Sequence, residues 1–330
     1  MRRVFLDANI YLSFYHLSKD DLSELEKFVR LVRDGEVYLV INSVIIDEVF
    51  RNRANKIADG LKNFRSLRFN PHAPAYVRTL PKFLDLSQQI RRITALHAEI
   101  MNDLDASIRE EGLEADKLIK SLFDNAVNLK VDNTIMQRAR LRQELRNPPG
   151  KPDSLGDRIN WETLLHDKAE KKRDLVIVSD DGDFASGYDT ERIDEFLAGE
   201  CRNTDKDNKL SECELFVRLS TYLNKYHPGI DLNDEKKKDE LIANLAESSN
   251  FATTHTLIEK MSEFEQFTKR QAHDLFKTLA ENNQVSWIIS DDDVQEFYQE
   301  LFRVHKWELA FEAHEDTVCS LLNVTGPTQI

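Results

Sequence analysis

Leu175–Phe184 reads LVIVSDDGDF. Four apolar residues, three of them β-branched, run without alternation, which is the pattern of a strand covered on both faces of a parallel sheet. Three acids then crowd into four positions, Asp180, Asp181 and Asp183, around a glycine, Gly182, that allows a tight bend. Like charges this close repel, so one carboxyl is expected to hold its proton above the usual range unless a cation lies near. Val4–Leu12, VFLDANIYL, follows the same plan: the apolar run Val4–Leu6 ends at Asp7, with Asn9 in the turn that follows. A carboxylate at the C-terminal end of a strand in an open α/β sheet lies where such folds bind ligands.

Two further acids sit at comparable places. In SVIIDEVFRNR, Glu48 falls beside the core-facing positions Val44, Ile45 and Val49 near the start of a helix. In SLGDRINWETLL, Asp157 follows Gly156 at a helix start. Read singly, Asp7 and Asp157 serve equally well as helix N-caps, and Asp180–Asp183 as a solvated turn. Read together, Asp7, Glu48, Asp157 and Asp181, with Asp183 accessory, make a hard oxygen site suited to Mg²⁺ or Mn²⁺, the apparatus of metal-assisted phosphodiester hydrolysis. Asn9, Asp180 and the Ser179 hydroxyl are the accessory polar groups.

Outward from these stretches the chain alternates strands and helices. Strands are expected at Arg3–Leu6, 37–41, 174–178 and 214–217. Helices are expected at 20–33, from about 43 onward, through most of 60–146, at 156–166, 191–197 and 218–225. Loops are expected at 70–81, 147–154 and 179–189. That order predicts a parallel, three-layer α/β/α sheet with a helical insertion at about 60–150. Tyr226–Asp239 combines Pro, Gly and a charge run, and marks a boundary between a domain at 1–226 and one at 232–330. The second reads as helices at about 235–248, 254–265, 268–282 and 291–304.

The 330 residues carry a net charge of −14, unevenly placed. Residues 1–150 hold 24 Lys and Arg against 21 Asp and Glu, and residues 151–330 hold 21 against 38. Between Arg51 and Arg92 there are ten basic side chains and only two acids, Asp59 and Asp85. A second basic cluster covers Arg138–Arg146. These runs flank the acids, and Arg51, Arg53, Lys56, Arg65, Arg68, Arg138 and Arg142 are the residues expected to hold a phosphate backbone. Residues 232–330 carry nineteen acids against nine bases. An acidic surface there disfavours nucleic acid and favours protein contact, either a homo-oligomer or a regulatory partner.

Other chemistries are not indicated. HExxH, GxSxG and Walker sequences are lacking. Thr204–Glu212 has Asp in calcium-loop spacing but Lys209 at a ligand position and no following Gly, so no calcium loop is expected. Cys201, Cys213 and Cys319 have no CxxC spacing and predict neither a zinc site nor a disulfide framework, which fits a reducing cytoplasm. No apolar run reaches the length of a membrane span.

The four acidic stretches, in this order, resemble the motifs of PIN-domain nucleases, and the form GD-x3-WE-xLL followed by VSDDGDF is similar to a bacterial PIN-like subgroup. IDEFLAGEC and ELFVRLSTYL resemble that subgroup's closing strand and helix. The resemblance covers about residues 1–226. It implies an α/β/α sandwich in which Asp7, Glu48, Asp157 and Asp181 bind Mg²⁺ or Mn²⁺ and cleave single-stranded or structured RNA, tRNA included. The gap from Glu48 to Asp157 is longer than in compact members of the family and is filled by basic helices.

The function expected is a metal-dependent endoribonuclease in the cytoplasm, of the kind used as a toxin or phage-defence effector. The alternatives are a non-catalytic scaffold working through residues 232–330, or a DNA or flap nuclease using the same acids.

Overall fold

Arg3–Leu6 forms the first strand, β1, and every residue in it is buried. The computed structural model describes all residues except 1, 17–18, 71–72, 205–212 and 330. After β1 come α1 (Ala8–Ser13), α2 (Lys19–Arg33), β2 (Tyr38–Asn42) and the long α3 (Ser43–Arg65). The insertion holds α4 (Ala75–Arg78), α5 (Pro81–Arg109), α6 (Glu114–Asn125), β3 (Val127–Leu129) and α7 (Asn133–Glu144). Then follow α8 (Gly156–Lys171), β4 (Leu175–Val178), α9 (Glu195–Asn203), β5 (Cys213–Phe216) and α10 (Leu219–Tyr226). The C-terminal part adds α11 (Leu232–Ala246), α12 (Phe251–Met261), α13 (Lys269–Glu281), α14 (Asn283–Ser286), α15 (Asp292–His305) and α16 (Glu315–Leu322).

The sheet is parallel, with strand order β3-β2-β1-β4-β5, in a three-layer α/β/α arrangement. From β1 the chain moves outward through β2 to β3, then crosses back to β4. The reversal lies between β1 and β4, the crevice where open α/β sheets bind ligands. Leu6 pairs in register with Val178, so both strands end at one level. The Asp7 amide donates to the Val178 carbonyl at 2.9 Å, and the chain leaves the sheet at Asp7 and Ser179 side by side.

Two elements differ from expectation. Val127–Leu129 is a short edge strand with only Leu129 partly shielded. Its three residues carry no apolar run, and its place comes from pairing with Val40–Asn42 rather than from pattern. Within the expected loop 70–81, α4 forms one turn. The stretch weighed as a calcium loop falls mostly on 205–212, outside the described residues. Cys201 and Cys213 are joined in a disulfide, contrary to the expectation of free thiols; the end of α9 and the start of β5 bring together residues twelve apart, while Cys319 stays free and buried.

By internal contacts the chain divides into Met1–Leu25 with Leu39–Tyr222, and Glu26–Tyr38 with Leu223–Ile330. In the first unit, α3 is tied to the insertion by a buried pair, Arg53 with Asp116, at 2.7 and 2.5 Å, and Tyr15 donates to the same carboxylate at 2.6 Å. The second unit has its own core, including Ile258, Leu275, Phe276, Val285, Tyr298 and Val318. It also holds a buried polar network. Arg30 pairs with Asp34 and Asp239, and Arg270 bonds Asp34 at 2.7 Å and Asp239 at 2.9 Å. Thr268, the N-cap of α13, donates to Asp34 at 3.0 Å. Residues 26–38 are therefore part of this unit, and a cut near residue 228 would strip Arg30 of Asp239 and Asp34 of Arg270 and Thr268. The core does not cover every ring: Trp287, Trp307 and Phe311 remain exposed. None of the described helices is long and apolar enough to cross a membrane.

Candidate active site

Asp7 is buried at the end of β1. It is also the N-cap of α1, one oxygen accepting from the Ala8 amide at 2.8 Å. Its other oxygen accepts from the Ser179 hydroxyl at 2.8 Å. The same hydroxyl stands 3.0 Å from an Asp181 oxygen. Asp181 further accepts from the Asn9 amide at 2.7 Å and from the Asp183 backbone amide at 3.1 Å. Gly182, at φ +78°, makes the bend that returns the chain for that last bond.

The other two acids come from the two flanking helices. Asn42 caps α3 by accepting from the Ile45 amide at 3.1 Å, and donates to Asn160 of α8 at 3.0 Å. That buried amide pair fixes the starts of the two helices beside each other. Glu48 lies a turn into α3; a side chain at Gly156 would start only 3.8 Å from its carboxylate. Asp157 stands in the first turn of α8 and is not its cap; its carboxylate takes the Ser154 hydroxyl. Gly150 packs against it so closely that an added Cβ would lie 2.7 Å from its oxygen, and Gly150 also has φ +85°.

The electrostatics record the convergence. Burial pushes the Asp7 carboxyl well up from the usual range, and the negative charges of Asp181 and Asp157 add to this. Burial raises Glu48, with further contributions from Asp157 and Asp181 and some relief from Arg51. Asp183 is pushed up to about 6, first by burial and then by Asp181 and Asp157. Burial also raises Asp180, partly offset by Lys56. Asp157 and Asp181 thus each act on both Asp7 and Glu48.

The expected phosphate-binding residues separate into groups. Arg51 and Lys56 lie close enough to relieve Glu48 and Asp180. Arg138 is exposed on α7, and Arg68 is exposed and bonded to the Arg65 and Leu67 carbonyls. Arg65 pairs with Asp105 at 3.2 Å on the surface. Arg53 and Arg142 do not belong in the set. Arg53 is buried against Asp116. Arg142 is buried on Glu162, Glu200 and the Pro148 carbonyl at 2.6–2.8 Å. Both are structural, because their guanidinium groups are turned inward and already paired. Lys151, which sequence reasoning missed, acts on Asp183. With Gly150 and Ser154 it belongs to the Pro-rich loop that closes over Asp157; the only signal in the sequence was the Pro148–Gly150 tract itself.

A family model described as a PIN domain matches residues 4–184, from β1 to just past Asp183, taking in all four acids. The chain belongs to the PIN-domain family. No curated protein and no solved structure matches it. PIN domains are generally nucleases that use divalent metals. The carboxylates of this PIN domain are hard oxygen donors, the ligand type that divalent cations of this kind take. Among the described residues no three ligating side chains are gathered into a formed metal cage.

Proposed function

We propose that the chain is a metal-dependent endoribonuclease. The observation that carries this is the convergence of Asp7 and Asp181 on the Ser179 hydroxyl at the β1–β4 crevice, with the charges of Asp157 and Asp181 adding to the burial that raises Asp7, Glu48 and Asp183. A helix cap or a solvated turn gives no reason for five carboxylates to face one another. Asp7, Glu48, Asp157 and Asp181 would hold Mg²⁺ or Mn²⁺, which when bound lowers the pKa of water and offsets charge on a scissile phosphate. Ser179 and Asn9 hold the Asp7 and Asp181 carboxylates in place. Arg51, Lys56 and Lys151 stand at the rim, where they would draw a phosphate backbone toward the acids. Contacts of this kind read charge and not base edges.

Residues 232–330 would contact protein and not RNA. A groove of about 1560 Å³ in that unit is lined by Phe264, Phe267 and Phe297 and by several carboxylates, among them Glu259, Asp292, Asp293 and Glu296. The test of the nuclease reading is incubation of the purified chain with total RNA and, separately, single-stranded DNA, in Mg²⁺, Mn²⁺ or EDTA. Cleavage of RNA that EDTA stops, and that the Asp7→Asn/Asp181→Asn variant lacks, supports it. Cleavage of DNA alone, or of neither, refutes it.

A further inference from the structure

The longest helix of the insertion has no core of its own. None of the 29 residues of α5 is buried, over a length of roughly 43 Å. It is steadied on the end of α3, where the Phe64 and His97 rings lie 4.8 Å apart, His97 bonds the Phe64 carbonyl at 2.9 Å, and Arg65 pairs with Asp105. Along α5, Phe83, Ser87, Ile90, His97, Met101 and Leu104 are partly covered, at steps of four, three, seven, four and three. Directly beside that seam, Leu86, Ile93 and Ile100 recur every seven residues and stay 48%, 43% and 50% exposed. Seven-residue spacing keeps a stripe on one side of a helix for several turns, the arrangement that pairs helices in coiled coils. A stripe of this kind left in water on a folded chain marks an interaction surface.

We propose that this stripe is where two copies of the chain meet, α5 against α5, antiparallel, about a two-fold axis near Ile93. The charges of the helix favour its own reverse. Residues 81–95 carry Lys82, Arg91 and Arg92 against Asp85, while residues 96–109 carry Glu99, Asp103 and Asp105 against Arg109. An antiparallel copy sets the Lys82 end of each helix against the Glu99–Asp105 end of the other, with Arg91 and Arg92 near the axis, and a parallel copy lays like on like. Centred on Ile93, it also sets Leu86 of one copy against Ile100 of the other and brings the Lys82 turn to the Asp103 turn. One patch thus serves both partners, as a closed two-fold interface requires. The same helix is poorly made for RNA: its charges cancel over its length, and the stripe is aliphatic with no ring to stack a base. The inference does not rest on the nuclease reading, and its readout is mass and not activity.

Light scattering of the full chain over a concentration series tests it, beside Ile93→Asp/Ile100→Asp, with thermal melts of both. The wild type is expected at twice 38.3 kDa and the variant at 38.3 kDa. At concentrations low enough to dissociate the wild type, the two should melt alike, because these side chains are already half in water. A wild type that stays monomeric, or a variant that stays dimeric, overturns the proposal. If the aspartates unfold the arm, charge decides: Glu99→Lys/Asp103→Lys alone should be monomeric and should dimerise when mixed with Lys82→Glu/Arg92→Glu, and failure of that rescue is contrary. Orientation is read by cross-linking. Leu86→Cys should join to Ile100→Cys and not to itself; Leu86→Cys joining to itself overturns the antiparallel arrangement.

Discussion

Asp7 and Asp181 share one hydrogen-bond donor, the Ser179 hydroxyl, at 2.8 and 3.0 Å. A hydroxyl carries a single proton, so it cannot satisfy two ionised carboxylates at once. The pair is held together by the ends of β1 and β4 against its own repulsion, and the raised Asp7 carboxyl is one consequence.

Removing one charge from this cluster relieves repulsion. Asp7→Asn should lower cleavage by at least roughly a hundredfold, the scale seen when one electrostatic stabiliser is lost. In EDTA its melting temperature should equal or exceed that of the wild type. Thermal melts in EDTA check this, and a large fall would make Asp7 a helix cap above all else.

Gly150 is the second point of leverage. Gly150→Ala places a Cβ against the Asp157 carboxylate and puts a side chain at φ +85°. Backbone strain there should cost about 1–3 kcal/mol, and displacement of Asp157 should reduce activity beyond what that instability explains. Gly182→Ala is the control, since its backbone is equally left-handed but nothing lies within 4 Å of the added atom. Equal loss of activity in both would mean that the contact with Asp157 is irrelevant.

The arginines of α3 should divide by role. Arg53→Met leaves Asp116 buried without its cation, with only the Tyr15 hydroxyl and the Leu113 amide as donors, and should destabilise the fold by about 3–5 kcal/mol. Arg51→Ala/Lys56→Ala should leave the melt almost unchanged. It should weaken RNA binding for all sequences alike and lower the salt-dependence slope by about two units. Filter binding at several salt concentrations, with melts, measures both, and equal instability in the two variants would contradict the division.

His305 supplies a pH signature in the second unit. Burial, with help from Lys269, lowers its pKa below the ordinary value of 6.5. The folded chain therefore resists a proton that the unfolded chain accepts, and stability is full above about 6.5 and falls as pH drops through that value toward the folded pKa. His305→Phe should remove this loss, so the melting difference between variant and wild type should shift in the variant's favour from pH 7 to pH 5. A difference that does not change with pH would contradict it.

The strand ends and the positions of Asp7 and Asp181 were legible because buried parallel strands are written as unbroken apolar runs, each ending in a polar residue where the chain leaves the sheet. LVIV and VFL need no tertiary context to be read. What escaped depended on partners far along the chain. Val127–Leu129 is a strand only because β2 lies beside it. Arg53 and Arg142 look like any exposed arginine until Asp116, Glu162 and Glu200 are brought to them. Asp34 and Arg30 looked like the end of a helix in the first domain, yet they pair with residues more than two hundred positions away. The loop at Pro148–Ser154 was visible as a loop, but its hold on Asp157 was not, since a Pro-Gly tract gives a turn and not a destination.

The most direct measurement is calorimetric titration of Mn²⁺ into the wild type and into Asp7→Asn/Asp181→Asn near pH 6, in two buffers of different ionisation heat. Carboxylates that hold protons in the free site must release them to bind a cation. The account predicts saturable binding with proton release in the wild type and loss of both in the variant. Absence of Mn²⁺ binding in the wild type, or binding that the variant retains unchanged, would contradict it.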